Sequence, residues 1–148
     1  MKVALGADHA GFELKNKIAG WLLERNIEII DMGNTVFDAK DDYPDFAIPV
    51  ATTVAKGNAD KGIVICGSGV GACITSNKIK GARASICHDT YSAHQGVEHD
   101  DMNILCLGAR IIGETLAKEI VISFVDARFI NEERFTRRLV KITNLENI

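Results

Sequence analysis

The sequence predicts one three-layer α/β domain over residues 1–148, with helices on both faces of a five-stranded parallel, Rossmann-like sheet. Short continuous apolar runs alternate with longer segments whose apolar residues recur at helical spacing. Continuous apolar runs are typical of strands buried on both faces, and parallel neighbours need crossover connections, usually helices. The chain has no internal repeat and no low-complexity linker, so its 148 residues fit a single domain.

The first elements are a strand, a helix and a second strand. Lys2–Ala7 is a short run of mainly apolar and small residues, which indicates a buried strand. From Phe12 to Arg25 the apolar residues follow the helical period. A second strand is predicted at Glu28–Asp31, and the Gly, Asn and Asp residues of the following segment, 33–44, favour a loop.

The middle of the chain predicts helix, strand and helix. Asp45 is a candidate N-cap for a helix to Lys56, in which Pro49 is tolerable if it falls in or near the first turn. The run Gly62–Cys66 predicts a buried third strand. A glycine-rich turn over 67–71 then leads into a short helix that ends at about Lys78.

The last part of the chain completes the sheet. Ala82–Cys87 is the fourth predicted strand, and Asp89 is the N-cap of a helix ending near His99. Ile104–Leu107 is the fifth strand, followed by a helix from Ile112 to about Val125. An amphipathic helix from Glu132 to Leu145 ends the chain.

Composition excludes several classes of function. The 17 Lys and Arg residues against 20 Asp and Glu give a net charge of −3, which argues against a broad nucleic-acid-binding face. Apolar runs fall far short of the roughly 20 residues that span a bilayer, and Met1 leads directly into a strand-like segment, so a cytoplasmic protein without membrane contact is expected. The cysteines, with no C-x-x-C pair, indicate reduced thiols instead of a disulfide framework or zinc site; they are Cys66, Cys73, Cys87 and Cys106.

Polar residues follow three of the predicted strands. Asp8 and His9 come after the first, the segment 66–71 ends the third, and His88 with Asp89 follows the fourth. Ligands of parallel α/β sheets bind beyond the carboxyl ends of the strands. These positions therefore predict a site at one edge of the sheet.

The glycine loop is the strongest single motif. Gly67, Gly69 and Gly71 let the backbone turn sharply and leave N–H groups free for an anion, to which the next helix adds its positive end. A tight turn without a ligand is the alternative. The spacing to Ala72, with Asp89 after the next strand, also satisfies a relaxed dinucleotide-binding pattern, although that motif normally follows the first strand.

Cys66 and His99 are candidates for proton transfer. Cys66 precedes the glycine loop, where a helix N-terminus stabilises a thiolate, although a buried cysteine is often only a packing residue. His99 lies at the predicted end of its helix and precedes Asp100 and Asp101, which favour imidazolium; it could donate a proton, or merely stabilise the helix end. The other three cysteines are interpreted as packing residues.

Arginines provide a candidate phosphate site. Arg134 and Arg138 are four residues apart on one helical face, and Arg110 follows the fifth strand. Guanidinium groups donate paired hydrogen bonds to phosphate, but Glu132 and Glu133 also suit an ordinary solvated helix face. No His pair has the spacing of a metal site, so no metal is expected.

Six motifs, in order and at matching intervals, make the chain resemble the type B ribose-5-phosphate isomerases over essentially its whole length: Gly6-Ala7-Asp8-His9-Ala10-Gly11, Asp42-Tyr43-Pro44-Asp45, Ile65-Cys66-Gly67-Ser68-Gly69-Val70-Gly71, Asn77-Lys78, His99-Asp100-Asp101-Met102-Asn103 and Leu107-Gly108-Ala109-Arg110. This family and its allose, galactose and tetrose phosphate relatives interconvert aldose and ketose phosphates without metal or cofactor. The resemblance implies a cytoplasmic homodimer or dimer of dimers that shares its site between subunits, with the C-terminal helix packed across the interface.

The resemblance also implies residue roles. Cys66 would shuttle a proton through a cis-enediol, the glycine loop would hold the developing oxyanion, and His99 would open the sugar ring. Ser68 is carried over as a third catalytic residue. Substrate contacts would come from Asp8, His9, Tyr43, Gly67, Ser68, Gly69, Val70, Gly71, Asp100, Arg110, Arg134 and Arg138.

The chain departs from the family pattern in three places, of which the first two would alter the ends that recognise the substrate. Asp100 replaces the usual Asn, the segment 132–135 reads Glu-Glu-Arg-Phe instead of Gly-Gly-Arg-His, and Ser68 replaces Thr. Ribose 5-phosphate is the leading substrate, with erythrulose or erythrose 4-phosphate, or a 6-phosphohexose, as alternatives. A nucleotide-binding module and a silent subunit of a heteromeric isomerase are the other hypotheses.

Overall fold

The computed structural model describes all residues, Met1 to Ile148. Its sheet has five parallel strands in the order β2-β1-β3-β5-β4, which confirms the predicted fold class. The strands are β1 (Lys2–Ala7), β2 (Glu28–Asp31), β3 (Lys61–Cys66), β4 (Ala84–Ile86) and β5 (Ile104–Gly108). From β1 the chain adds β2 on one side of the sheet, and from β3 it adds β4 and β5 on the other side. A ligand crevice is therefore expected at this switch point, beyond the carboxyl ends of β1 and β3.

Six α-helices follow the predicted pattern, with bounds that differ by a few residues. They are α1 (Phe12–Glu24), α2 (Pro44–Ala55), α3 (Val70–Ser76), α4 (Thr90–Asp100), α5 (Glu114–Asp126) and α6 (Glu133–Asn144). Asp89 is the N-cap of α4, as predicted, and its carboxylate accepts a hydrogen bond from the Ser92 N–H at 2.6 Å.

Three predicted details are wrong. Asp45 is not the N-cap of α2, because the helix begins one residue earlier, at Pro44, with Tyr43 in the cap position. Pro49 is consequently the sixth residue of the helix instead of lying near its first turn. Strand β4 is also shorter than predicted, because the Asn103 side chain accepts the Arg83 N–H just before the strand begins.

The sheet separates two hydrophobic cores. One packs α1, α4 and α5 against one face and includes Ile18, Leu105 and Phe124. The other packs α2 and α3 against the opposite face and includes Val50 and Val64. These layers hold the strand ends in fixed positions and thus position the loops that follow them.

Lys61, at the start of β3, caps the carboxyl end of α5 from inside the protein. Its buried Nζ donates to the carbonyl oxygens of Phe124 and, at 2.9 Å, Ala127. Burial lowers the pKa of Lys61 to about 8. Lys61 thus helps to satisfy the helix-terminal acceptors, and it shares the Ala127 carbonyl oxygen with Arg128, which donates to it at 2.8 Å.

Replacing Lys61 with methionine is expected to lower the free energy of unfolding by about 2 kcal/mol, because buried carbonyl groups lose a charged donor. Urea denaturation of the two proteins measures this difference. Lys56→Met, at an exposed position just after α2, is the matched control and should change stability by less than about 0.5 kcal/mol. Equal stability of the Lys61 variant and the control would contradict the capping role.

Helix α6 is largely unpartnered within the chain. Phe135 is its only buried residue, while Val140 and Ile142 remain exposed on a strongly amphipathic helix. An amphipathic helix normally buries its apolar face. None of the six helices is long and apolar enough to cross a membrane.

Candidate active site

The first part of the site is built at the carboxyl ends of β1 and β3. Asp8 directly follows β1, and its carboxylate accepts hydrogen bonds from the N–H groups of Ala10 and Gly11. Gly11 approaches β3 so closely that a Cβ there would lie 2.6 Å from the Ile65 carbonyl oxygen. Asp8 and Gly11 thereby hold the turn into α1, and with it His9, against β3.

The glycine loop has the geometry that its sequence predicts. Gly69 adopts φ +81°, and a Cβ there would lie 3.1 Å from the Leu107 carbonyl carbon. Four loop and first-turn N–H groups have no hydrogen-bond partner within the chain, those of Gly67, Ser68, Gly71 and Ala72. Free amides of this kind are suitable donors to an oxyanion.

Gly69→Ala is expected to destabilise the protein by about 1–2 kcal/mol and to reduce activity, because it combines a left-handed backbone with contact against β5. Gly57→Ala is the matched control: its φ is +73°, but nothing lies within 4 Å of the added Cβ. The control should lose about 1 kcal/mol of stability and keep its activity. Thermal unfolding and turnover of both variants test this, and equal activities would show that the loop geometry is unimportant.

Cys66 lies at the base of the loop and ends β3. Its Sγ is 3.1 Å from the Gly69 nitrogen, which donates to it, and only 4% of the residue is exposed. The amide donor stabilises negative charge on sulfur. The thiol and the free loop amides therefore share one small region.

Two side chains border the loop. A Cβ at Gly71 would lie 2.4 Å from the Tyr43 ring, so this ring packs directly on the loop. Arg110 lies on the other side, with one guanidinium nitrogen 3.3 Å from the position that a Cβ would take at Gly67. Ser68 is exposed, and its hydroxyl oxygen accepts the Val70 N–H at 3.2 Å.

His9 is held by a residue that sequence analysis missed. Asp41 Oδ1 accepts from the His9 backbone N–H at 2.9 Å and lies 2.8 Å from His9 Nδ1. The hydrogen bond with Asp41 raises the pKa of His9 above its ordinary value, although burial opposes it. No local pattern marks Asp41, because it lies in an irregular loop 32 residues from its partner.

Asp8, His9 and Asp41 also offer three potential metal-ligating atoms within 4.8 Å of one another. Their oxygens, however, already accept hydrogen bonds from the turn after β1, from His9 and from Asn34. A histidine with a raised pKa is a poorer metal ligand, since it must lose its proton first. Asp41 and His9 form a hydrogen-bonded pair, and Asp8 lies next to them in the turn after β1.

A second group of predicted residues lies on α4 and α6. The His99 ring stacks on Phe135, with centroids 4.1 Å apart and an interplanar angle of 17°. The Arg134 guanidinium covers the same phenyl ring at 4.4 Å. The Gln95 amide lies 2.8 Å from His99 Nδ1, which leaves Nε2 without a hydrogen-bond partner. Asp100 and Arg138 are exposed beside this stack.

In one chain the two groups lie at opposite ends of the parallel strands. The first group is beyond the carboxyl ends, and the second is near the amino ends. Helix α4 begins after the carboxyl end of β4 and ends near the amino ends of β3 and β5. There the Met102 N–H donates to the Gly96 carbonyl oxygen, and the Gly62 N–H donates to the Asn103 carbonyl oxygen. Its 11 residues span about 16 Å. The thiol with its loop and His99 with Arg134 therefore do not meet within a single chain. Periodicity placed His99 at a helix end but did not show which end of the strands it reaches.

The dinucleotide pattern is not supported by the topology. Asp89 follows β4, which β5 separates from the glycine loop strand β3. Its carboxylate is engaged as the N-cap of α4. His88 is structural as well, because its Nε2 accepts the Gly108 N–H at 3.0 Å.

The largest cavity, about 770 Å³, runs along the edge strand β4 between α4 and the end of α6. Asn77, Gln95, Asp100 and Ile142 contribute to its walls, but no residue of the glycine loop does. Its walls also contain neither Cys66 nor the predicted phosphate-binding side chains, His9, Arg110, Arg134 and Arg138. We therefore assign the candidate site by its chemistry and not by cavity size.

The sheet is doubly wound, and a thiol and a loop with free amides lie at its switch point. These features define a class of protein, the small α/β enzymes that act on anionic metabolites. Comparison with protein families matches residues 3–142 to the Ribose/Galactose Isomerase family. The chain belongs to this family of aldose–ketose isomerases, which confirms the resemblance found in its sequence.

Individual relatives agree with this assignment. The chain is 44% identical to ribose-5-phosphate isomerase B of Escherichia coli, over 98% of this chain and 96% of that protein. It is 40% identical to D-erythrulose-4-phosphate isomerase of Pectobacterium atrosepticum, over 87% and 85% of the two chains. A solved structure of ribose-5-phosphate isomerase B from Mycoplasma genitalium, with bound ribulose-5-phosphate, superimposes with a TM-score of 0.94 at 39% identity, covering 99% and 96%.

Proposed function

We propose that this protein interconverts D-ribose 5-phosphate and D-ribulose 5-phosphate. The observation that carries the proposal is the Cys66 thiol, which accepts the Gly69 N–H beside loop amides that have no other partner. This arrangement suits removal of a proton from a carbon next to a carbonyl group. The ribulose-5-phosphate bound to the Mycoplasma genitalium relative supports the choice of sugar.

The proton transfer proceeds in two balanced steps. The Cys66 thiolate removes the proton from C2 of the open-chain aldose, and the electron pair moves to form the C1–C2 double bond while O1 accepts the negative charge. The amides of Gly67, Ser68 and Gly71 stabilise that oxygen. The proton on O2 then passes to O1, and Cys66 returns its proton to C1 as the C2–O2 double bond forms, which gives the ketose and regenerates the thiolate. The protein supplies every group that this isomerisation requires.

Ring opening and phosphate binding use the other named residues. His99 Nε2 donates a proton to the ring oxygen as its bond to C1 breaks, and the hydroxyl on C1 gives its proton to a water molecule as it becomes the carbonyl. Asp8, Tyr43 and Asp100 contact the sugar. The phosphate lies among the cationic side chains of His9, Arg110, Arg134 and Arg138.

The complete site requires two copies of the chain, as a homodimer or a dimer of dimers. Cys66 with its loop and His99 with Arg134 lie at opposite ends of the parallel strands, so one chain cannot bring them together. The exposed apolar residues of α6 provide a surface for the second copy. Four free cysteines suit the reducing cytoplasm, where we propose that the enzyme works.

A four-carbon sugar phosphate is the second candidate substrate. Phe135 stacks on His99 where the family usually has histidine, and Asp100 replaces asparagine beside it, so the residues that would meet the far end of the sugar differ. The Pectobacterium atrosepticum relative is named for erythrulose 4-phosphate. The chemistry at Cys66 would be the same for either sugar.

A panel of aldose phosphates of four, five and six carbons tests the proposal, with ketose formation as the measurement. We expect kcat/KM to be highest for ribose 5-phosphate, at least about tenfold above the others. A higher value for erythrose 4-phosphate would select the second candidate. No ketose from any sugar phosphate, with the purified protein folded, would overturn the proposed reaction and leave the silent-subunit hypothesis.

A further inference from the structure

Asp41 is the most constrained acid of the loop between β2 and α2. Its side chain is 9% exposed, whereas Asp38 and Asp42 of the same loop are exposed. Its Oδ1 accepts from both the backbone and the ring of His9, and its Oδ2 accepts from the Asn34 amide. One carboxylate oxygen thus holds His9, and the other fixes the carboxylate itself through Asn34.

The contact determines how His9 faces the site. Because Nδ1 is directed to Asp41, Nε2 lies on the opposite side of the ring, and it has no hydrogen-bond partner in the protein. Arg110 is close enough for its charge to act on the ring, and it also borders Gly67 of the loop. Nε2 and the guanidinium together can donate to one anionic group.

Three charged groups act on the His9 ring. The hydrogen bond to Asp41 is the largest influence on the pKa of His9 and raises it, burial opposes that change, Asp8 raises it further, and Arg110 lowers it. In Asp41, burial acts to raise the pKa, but hydrogen bonds from His9 and Asn34 outweigh it and lower the pKa. The pair therefore favours a carboxylate and an imidazolium.

We propose that Asp41 is a positioning residue for the phosphate subsite, which orients the His9 ring and keeps it cationic so that it binds the phosphate of the substrate. The phosphate role of His9 rests on the proposed function; the Asp41–His9 contact does not. A neutral ring would offer at most one N–H and no charge, so anion binding should weaken as pH rises through the pKa of His9. Without Asp41 that weakening begins at lower pH.

Asp41→Asn tests the proposal, since the amide oxygen can still accept from His9 while the negative charge is removed. Asp38→Asn is the matched control, because it makes the same change on an exposed acid whose side chain has a single hydrogen bond, from the Lys40 N–H. The His9 signal in labelled protein is assigned with a His9→Asn variant, and its pKa is followed by NMR. We expect a decrease of about one unit in Asp41→Asn and none in the control.

The functional measurement is the Kd for sulfate, which remains a dianion from pH 5.5 to 8. We expect the Kd of Asp41→Asn to rise about tenfold at pH 8 and to match that of the parent protein at pH 5.5. With ribose 5-phosphate at pH 8, KM should rise by a similar factor while kcat stays within about twofold. A purely structural role would weaken binding equally at both pH values.

An unchanged pKa of His9, or a loss of sulfate affinity that does not depend on pH, would overturn the assignment. If the parent protein isomerises no sugar phosphate, the proposed function fails, yet the NMR titration and the sulfate measurements still decide the role of Asp41.

Discussion

Cys66→Ala should lower kcat for ribose 5-phosphate by about 10³-fold and leave the protein folded. In the proposed mechanism the variant loses the base for the C2 proton and keeps the loop amides that would bind the substrate. Cys66 is small and ends its strand, so alanine leaves only a small void. Turnover of the purified variant measures the loss of kcat, and thermal unfolding measures whether the fold is kept. Substrate binding is tested by KM, which should change much less than kcat.

Cys73→Ala is the matched control, because this cysteine lies on α3 just after the loop and its thiol donates to the Ala84 carbonyl at 3.5 Å. The control should keep its turnover within about twofold. A Cys66→Ala variant that is folded and active would remove the thiol from the mechanism. Similar losses in both variants would mean that the effect comes from packing.

His99→Asn should lower kcat for ribose 5-phosphate by about 10²-fold, because opening the furanose ring loses its acid. Erythrose 4-phosphate cannot close a furanose through its phosphorylated C4 oxygen, so its turnover should fall by no more than about threefold. The ratio of the two losses isolates ring opening from proton transfer. Both sugars are assayed with the same preparation of enzyme.

His94→Asn provides the control on the same helix, where His94 Nδ1 lies 3.1 Å from Glu98 and the ring packs edge-on against Tyr91. It should change neither activity by more than about twofold. Equal losses on both sugars in His99→Asn would contradict the ring-opening role and indicate a positional effect.

The order of elements and the glycine loop could be predicted because their determinants are local. β1 and β2 begin and end at the predicted residues, since apolar runs and turn residues adjacent in sequence define them. Asp89 was recognisable as an N-cap for the same reason. The beginning of α2 was not, because Pro44 can occupy the first turn as readily as Asp45 can cap it.

Long-range contacts could not be read from the sequence. Asp41 and His9 are 32 residues apart, and the stack of Phe135 on His99 joins two helices across a long connection. The edge of the sheet at which each helix ends depends on the strand order, in which β5 inserts between β3 and β4. Because of these contacts and this strand order, the predicted site residues lie in two separate groups. Periodicity alone does not show this separation.

The most direct test of the two-chain site uses heterodimers that carry one altered residue in each chain. Cys66→Ala and His99→Asn chains are co-expressed with different tags, and the mixed dimer is purified through both. If each site combines Cys66 of one chain with His99 of the other, one of the two sites is intact, so we predict about half of the parent kcat.

The same measurement is made on a mixed dimer of one parent chain and one chain with both Cys66→Ala and His99→Asn. Every shared site in this dimer carries one altered residue, so we predict that it is inactive. An inactive first heterodimer together with a half-active second one would show that each chain holds a complete site of its own. That result would contradict the account of two separated groups joined by a second copy of the chain.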